Sequence, residues 1–335
     1  MIKLSEYFEA VERRICSKGD QMVHVPVRIC QKSLIFHFQD RDLAAPRLPA
    51  LKGMTEEESA LLSGEADAEF FAWTCDPTDY VPPEGAGSAG VWVSRDQSGS
   101  LYVNSGLGLI GADHERRRYY FGQTPESDLG DRAGNHPMIV PLFRWALDSG
   151  MLVMHCAAAG AAGRGALICG RGGQGKSTLA LSCMKLGMDF VSDDYVLLTG
   201  NGPLSAMPIY KTAGMNPDME KVLGPGLPIL NRENSFRDKL LLDASKVEYC
   251  SSLPIRAIIF PVLGDVPGIA KAEPGKALVQ MIHSSITQLR VWRDPKINAF
   301  MLDRLKGLPV YEMRLGRDLM ENAAYLRDFL MREFP

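Results

Sequence analysis

Leu4, Tyr7, Phe8, Val11 and Ile15 recur at helical spacing near the start of the chain, which predicts an amphipathic helix. Glu6, Glu9, Glu12, Arg13 and Arg14 lie between them and break any apolar stretch, so no secretory leader is expected there. From residue 20 to about 122 the pattern becomes that of strands. Val25-Pro26-Val27-Arg28-Ile29, Leu34-Ile35-Phe36-His37-Phe38, Gly90-Val91-Trp92-Val93 and Leu101-Tyr102-Val103 are short branched or aromatic runs of the kind that pack on a pleated surface. Asp96-Gln97-Ser98-Gly99 separates two of them as a turn, Thr55 to Ala68 is acidic with helical character, and Gly85-Ala86-Gly87-Ser88 reads as a loop.

Gly122 to Pro137 is rich in Gly, Asp, Asn and Pro and marks a boundary. The expected division is an N-terminal β-rich domain with a leading helix over 1–125 and a second domain over 126–335. The second begins with a helix from Met138 to Asp148, ended by Gly150, and a strand Leu152-Val153-Met154-His155-Cys156. A small-residue turn from Gly160 to Gly165 leads into a buried strand, Ala166-Leu167-Ile168-Cys169. These two strands are expected to be neighbours. Ser177 to Leu186 then reads as a helix with Leu179, Ala180, Cys183, Met184 and Leu186 on its apolar side, stopped by Gly187.

Phe190 to Leu198 is a strand broken by Asp193 and Asp194. Residues 200–236 are rich in Gly, Pro and Asn and predict a long irregular segment, of the kind that serves as a lid or specificity loop. Ile255 to Phe260 and Val310 to Arg314 are further strands, with a helix from Pro274 to Ser284 between them. Asp318 with Glu321 three residues on has the spacing of a capping box. Leu319, Ala323, Leu326 and Leu330 form the inward stripe of the last helix. Strands alternating with helices make the fold class α/β.

With 335 residues, 46% hydrophobic and 23% charged, the chain has the composition of a soluble globular protein with a sizeable core. A net charge of −3 and a pI of about 6.1 argue against a general nucleic-acid or membrane-surface binder. The run Arg116-Arg117-Arg118 before Tyr119-Tyr120-Phe121 is better explained as a solvated strand edge. Seven scattered cysteines without a C-x-x-C pair fit reduced thiols and a cytoplasmic protein. No Cys/His cluster has metal-ligand spacing.

Gly170-Arg171-Gly172-Gly173-Gln174-Gly175-Lys176-Ser177-Thr178 fits G-x-x-x-x-G-K-[ST] without a gap, between a strand and a helix. In such a loop glycines let successive N–H groups face a phosphate. Lys176 reaches the outer phosphates and Ser177 offers its hydroxyl to Mg²⁺. On the strand that follows, Asp193 and Asp194 can serve a metal and orient an acceptor hydroxyl. Strand neighbours point to opposite faces, so a local twist is needed for both to serve one site. His155, on its hydrophobic strand, is a candidate to bind a phosphate or tune Asp194. His24, His37, His114, His136 and His283 have no motif around them.

The segment His155-Cys156-Ala157-Ala158, then Gly170 to Thr178, then Ser192-Asp193-Asp194 resembles the core of HPr kinase/phosphorylase. The resemblance is closer to the HPr-kinase-related serine kinases of bacterial biosynthetic clusters, some of which phosphorylate a serine of a lasso-peptide precursor. Asp193-Asp194-Tyr195 and a late Gly316-Arg317-Asp318 before a final helix are similar to that group as well. The resemblance implies a P-loop NTPase variant of the HPr kinase/PEP carboxykinase type, with ATP and Mg²⁺ as cofactors. It implies Asp194 as proton acceptor for a serine hydroxyl, Lys176 as phosphate lysine, Ser177 as Mg²⁺ ligand and His155 as active-site histidine. Asp193 would support the metal or its waters. The signature built around Arg-Gly-Leu-Gly is absent, and the corresponding region reads Lys211-Thr212-Ala213-Gly214-Met215-Asn216. The resemblance therefore does not extend to HPr as acceptor or to phosphorolysis, and carboxykinase activity is not expected of a chain much shorter than those enzymes, in which their oxaloacetate-binding residues cannot be located.

The expectation is a kinase acting on Ser of a peptide or small protein, without a nucleic-acid or membrane partner. Homo-oligomers are common in the family. A metabolite or sugar kinase and a nucleotide-sensing regulatory ATPase are the alternatives.

Overall fold

The computed structural model describes residues 3–17, 21–51, 54, 66–76, 87–88, 91–104, 108–124, 135–200, 203–224, 226–232, 239–246, 249–289 and 295–335. The chain divides into two compact units, Met1–Ser149 and Gly150–Pro335.

The first unit holds α1 (Leu4–Cys16), strands β1 (Val23–Ile29), β2 (Lys32–Phe38), β3 (Ala68–Thr74), β4 (Gly87–Ser88), β5 (Val91–Arg95), β6 (Gly99–Asn104), β7 (Gly108–Asp113) and β8 (Arg118–Gln123), and α2 (Ile139–Asp148). The strands make one sheet in the order β1-β2-β3-β8-β7-β6-β5-β4. The β2–β3 and β3–β8 pairs are parallel and the rest antiparallel. Leu4, Phe8, Val11 and Ile15 of α1 are all buried, as their spacing predicted. Phe8 stacks on Tyr120 with ring centroids 4.5 Å apart. Burying such a side chain contributes about 1.5–3 kcal/mol.

Four expectations for this unit need revision or fall elsewhere. α2 packs on β7 and β8, so the first unit runs past 125 to Ser149. Gly87-Ser88 is a two-residue strand paired with β5, while Gly85 and Ala86 lie outside the described residues, as does 55–65 of the acidic stretch. The arginine run is not at a sheet edge, because β8 lies between β3 and β7. Arg116 and Arg117 form the β7–β8 turn, where Arg117 takes a left-handed φ of 54°. Two of the three guanidiniums are taken by acids of neighbouring elements. Arg116 pairs with Glu9, and Arg118 pairs with Glu12 at 2.6 Å and Glu69 at 2.7 Å. That consumption of charge suits a structural clamp better than a nucleic-acid surface.

The second unit contains β9 (Leu152–His155), β10 (Ala157–Ala161), β11 (Arg164–Ile168), α3 (Lys176–Lys185), β12 (Asp189–Ser192), β13 (Tyr195–Thr199), β14 (Ser205–Pro208), β15 (Thr212–Met215), α4 (Asp218–Leu223), β16 (Leu240–Asp243), β17 (Leu253–Leu263), β18 (Gly268–Lys271), α5 (Pro274–Leu289), α6 (Pro295–Leu305), β19 (Val310–Leu315) and α7 (Leu319–Glu333). Its main sheet runs β12-β10-β11-β17-β14-β13-β9, with β19 beside β17 and β18 beside β19. β11, β17 and β19 are parallel, and β15 and β16 form a separate antiparallel pair. The unit is mixed α/β.

α3 and α7 pack on each other and on β10. The core there joins Ala157, Ala159, Ala161 and Ala166 to Leu179, Leu181, Leu326 and Leu330. Alanines on the strands let the helices come close. The expected cap of α7 is present, Asp318 Oδ1 accepting from the N–H groups of Met320 (2.8 Å) and Glu321 (3.1 Å).

The strand carrying His155 is not the neighbour of the strand entering the glycine loop. β9 pairs with β13, and the Ala-rich β10 takes the place beside β11. The supposed turn from Gly160 to Gly165 shrinks to Ala162-Gly163, with left-handed φ values of 50° and 76°. Residues 200–236 are not one irregular segment either, since they include β14, β15 and α4.

Candidate active site

The glycine loop leaves the end of β11, which is buried from Gly165 onward. Cys169 N–H donates to the Ile259 carbonyl at 2.8 Å, tying the exit of β11 to β17. Gly170, Gly173 and Gly175 have φ values of 148°, 81° and 87°, a region costly for other residues. Gly175 caps α3 without a side-chain cap, so first-turn N–H groups of the helix have no capping oxygen. Nothing lies within 4 Å of where a Cβ would sit on Gly172 or Gly173; that side of the loop is open. Arg171, Gly172 and Gly173 are exposed, and Gln174 and Gly175 half-buried. Gln174 Oε1 accepts from Arg171 N–H inside the loop.

Lys176 is only 7% exposed. Its Nζ donates to the carbonyls of Gly170 (2.9 Å) and Arg171 (3.2 Å). Carbonyl partners reduce the penalty of burying the ammonium and hold a cation across the loop. Ser177 Oγ donates to the backbone carbonyl of Asp193 at 3.4 Å. Thr178 stands in the first turn of α3, its carbonyl accepting from Ser182 Oγ at 2.8 Å.

Asp193 and Asp194 fall between β12, which pairs with β10, and β13, which pairs with β9 and β14. The chain changes partners at these two residues, and the strand alternation that would oppose the carboxylates is interrupted there. Asp194 Oδ1 is 2.9 Å from His155 Nε2. Asp193 is 2% exposed, and its carboxyl accepts the N–H of Gly214 and lies beside Lys239. Burial first, and then the charge of Asp194, push the Asp193 carboxyl up to about 7, against the opposing pull of Lys239 and the Gly214 amide. Asp193 thus meets Ser177 through its carbonyl, while its carboxyl turns to Gly214 of β15.

His155 is held from two sides. It stands opposite Tyr195 in the β9–β13 ladder, with the two rings 5.3 Å apart. From α5, Ser285 Oγ accepts the His155 backbone N–H at 3.1 Å, and Ser284 Oγ lies 2.9 Å from Nδ1.

The structure therefore joins Lys176 to the glycine loop, Ser177 to the Asp-Asp turn, and Asp194 to His155. Ser284, Ser285, Gly214 and Lys239 were not foreseen. Only the side-by-side hydroxyls in a helix otherwise rich in apolar residues hinted at the first two. Gly214 lies in the segment that departs from the HPr kinase signature, and it reaches the site through its amide rather than through a side chain.

Among the described residues, no three His, Cys, Asp or Glu side chains form a metal cluster. The Ser177 hydroxyl and the Asp193 carbonyl beside it are oxygens of the kind that suit Mg²⁺ and its waters, with phosphate oxygens completing its shell. The uncapped helix, the open glycines and Lys176 suit a polyphosphate in the same way.

The chain matches no protein-family model and no curated protein. Among solved structures it is similar to the HPr(Ser) kinase/phosphatase from Coxiella burnetii. That similarity is 13% identity with a TM-score of 0.29, covering 54% of this chain and 94% of that one. A likeness of that size carries no weight for function, which rests on the residues above. No helix among the described residues is long and apolar enough to cross a membrane, and all seven cysteines are free thiols.

Proposed function

We propose that the chain is an ATP- and Mg²⁺-dependent kinase that transfers a terminal phosphoryl group to a hydroxyl, that of Ser in a peptide or small protein. The observation that carries this reading is the 2.9 Å pair of His155 Nε2 and Asp194 Oδ1, on the same turn that Ser177 Oγ contacts from the glycine loop. A carboxylate oriented by an imidazole thereby stands next to a loop built for phosphates. When bound, the nucleotide supplies the phosphoryl group and Mg²⁺ neutralises its charge.

The chain's own residues have separate tasks. Loop amides and Lys176 bind and orient phosphate oxygens, Ser177 holds the metal with the Asp193 backbone carbonyl beside it to hold its waters, and Asp194 accepts the acceptor's proton. His155 keeps the Asp194 carboxylate aimed. The acceptor class comes from the resemblance to serine kinases and from the presence of a base. Because phosphoryl transfer passes through a loose transition state, the cradle contributes more than the base.

The test is transfer of label from γ-labelled ATP, with Mg²⁺, to a pool of serine-containing peptides. Asp194→Asn is expected to bind ATP with near-parental affinity and to lose transfer by about 10²–10⁴-fold, the span of general-base contributions. Lys176→Ala is expected to lose nucleotide binding as well. Transfer by the Asn variant at the parental rate would remove Asp194 from the role, and failure of the wild-type chain to bind ATP would remove the reading itself.

A further inference from the structure

Asp194 alone does not fix how His155 serves it. An ionised carboxylate only accepts hydrogen bonds, so a 2.9 Å contact between Asp194 Oδ1 and His155 Nε2 asks for a proton on Nε2. In a neutral imidazole that leaves Nδ1 with a lone pair needing a donor. The ring belongs to a residue only 7% exposed, so bulk water is a poor candidate. Ser284 Oγ stands 2.9 Å from Nδ1.

The two serines of α5 divide the work. Ser285 is fully buried, donates to the Met281 carbonyl one turn back at 3.1 Å, and accepts the His155 backbone N–H. It pins the backbone of β9 to the helix. Ser284 instead turns its hydroxyl out of its own helix to the ring. A mid-helix serine can bond its hydroxyl back to the preceding turn, as Ser285 does; the Ser284 hydroxyl meets the histidine instead.

We infer that Ser284 is a positioning residue that holds His155 as the neutral tautomer protonated at Nε2, by donating its hydroxyl proton to Nδ1. Its catalytic consequence rests on the reading of Asp194 as the base, but the tautomer does not. Without the hydroxyl, the proton of His155 is shared between the two nitrogens. In the Nδ1-protonated share, two lone-pair acceptors face each other across the Asp194 contact, which disorients the carboxylate.

The experiment uses the full chain with ¹⁵N-labelled histidine and compares Ser284→Thr with Ser284→Val, which have the same shape and differ in the hydroxyl. NMR of the wild type and of S284T is expected to show His155 with an unprotonated Nδ1 and a protonated Nε2. S284V is expected to show a mixture. In phosphoryl-transfer assays S284V should lose roughly tenfold in kcat with KM for ATP within about twofold, and S284T should recover the parental rate, the pattern of an interaction made only in the transition state. If S284V does not fold, Ser284→Ala, which removes only Oγ, takes its place. A single Nε2-protonated tautomer in both hydroxyl-free variants overturns the inference. A wild-type chain that transfers no phosphate, yet shows the tautomer difference between S284T and S284V, supports Ser284 while removing the kinase reading.

Discussion

Replacing Asp193 by Asn tests the electrostatics of the site without touching the glycine loop. The carboxyl is 2% exposed and lies next to the Asp194 charge, which together raise it from 3.8 to about 7. Between those values the native chain holds a proton that the unfolded chain has released. Unfolding therefore becomes easier as pH rises through that window, by about 1.4 kcal/mol per pH unit. The width of the window sets a ceiling of about 4 kcal/mol on the whole effect. Asn keeps an oxygen for the Gly214 amide but cannot ionise. Asp193→Asn is thus expected to match the wild type near pH 4, gain on it steadily up to about pH 7, and hold a constant lead above. Hydrogen exchange of the β13 amides reads the second unit alone, and comparison at each pH cancels the intrinsic pH dependence of exchange. Asp194→Asn removes the neighbouring charge that helps to raise the Asp193 carboxyl in the fold, so its own profile should begin to fall at the same pH, stop falling at a lower pH and lose less in total. Parallel wild-type and D193N profiles from acid to pH 8 would refute the reasoning, because they would mean that Asp193 is ionised in the fold at ordinary cost.

Two further outcomes are expected. Gly175→Ala puts a Cβ at φ 87°, 2.8 Å from Leu315 Cδ1, and should cost about 1–2 kcal/mol for the backbone alone; urea unfolding of G175A with and without Leu315→Ala should show that the second change relieves the contact but not the backbone part. Asp318→Ala removes the oxygen that accepts two N–H groups at the start of α7 and should cost about 1 kcal/mol in urea unfolding, most of which Asp318→Asn restores.

The residues that sequence reading placed well are those where local chemistry decides the outcome. α1 and α7 carry their apolar stripes and, for α7, its cap within a few turns, and the glycine loop carries its own conformation. β10 was missed because Ala157-Ala158-Ala159-Gly160-Ala161 has little strand propensity; it is a strand because only small side chains fit beneath α3 and α7. The same override explains β14 and β15, which are held by pairing with β13 and β16 respectively despite their Gly, Pro and Asn neighbours. For the site, types and spacing brought out Lys176, Ser177, Asp194 and His155, but not the route that joins them. His155 arrives through β13, a pairing that periodicity cannot specify, and Ser284 arrives from a helix about 130 positions later.

His155 and Tyr195 face each other across a backbone ladder, and Asp194 is the next residue along. The backbone spacing of imidazole and carboxylate is accordingly written into inter-strand geometry, whereas the loop from Gly170 to Thr178 hangs from glycines. Under the proposed function, breathing of that loop would alter how often a nucleotide is captured, yet leave the backbones of His155 and Asp194 in place. Melting of the sheet would take their backbones apart.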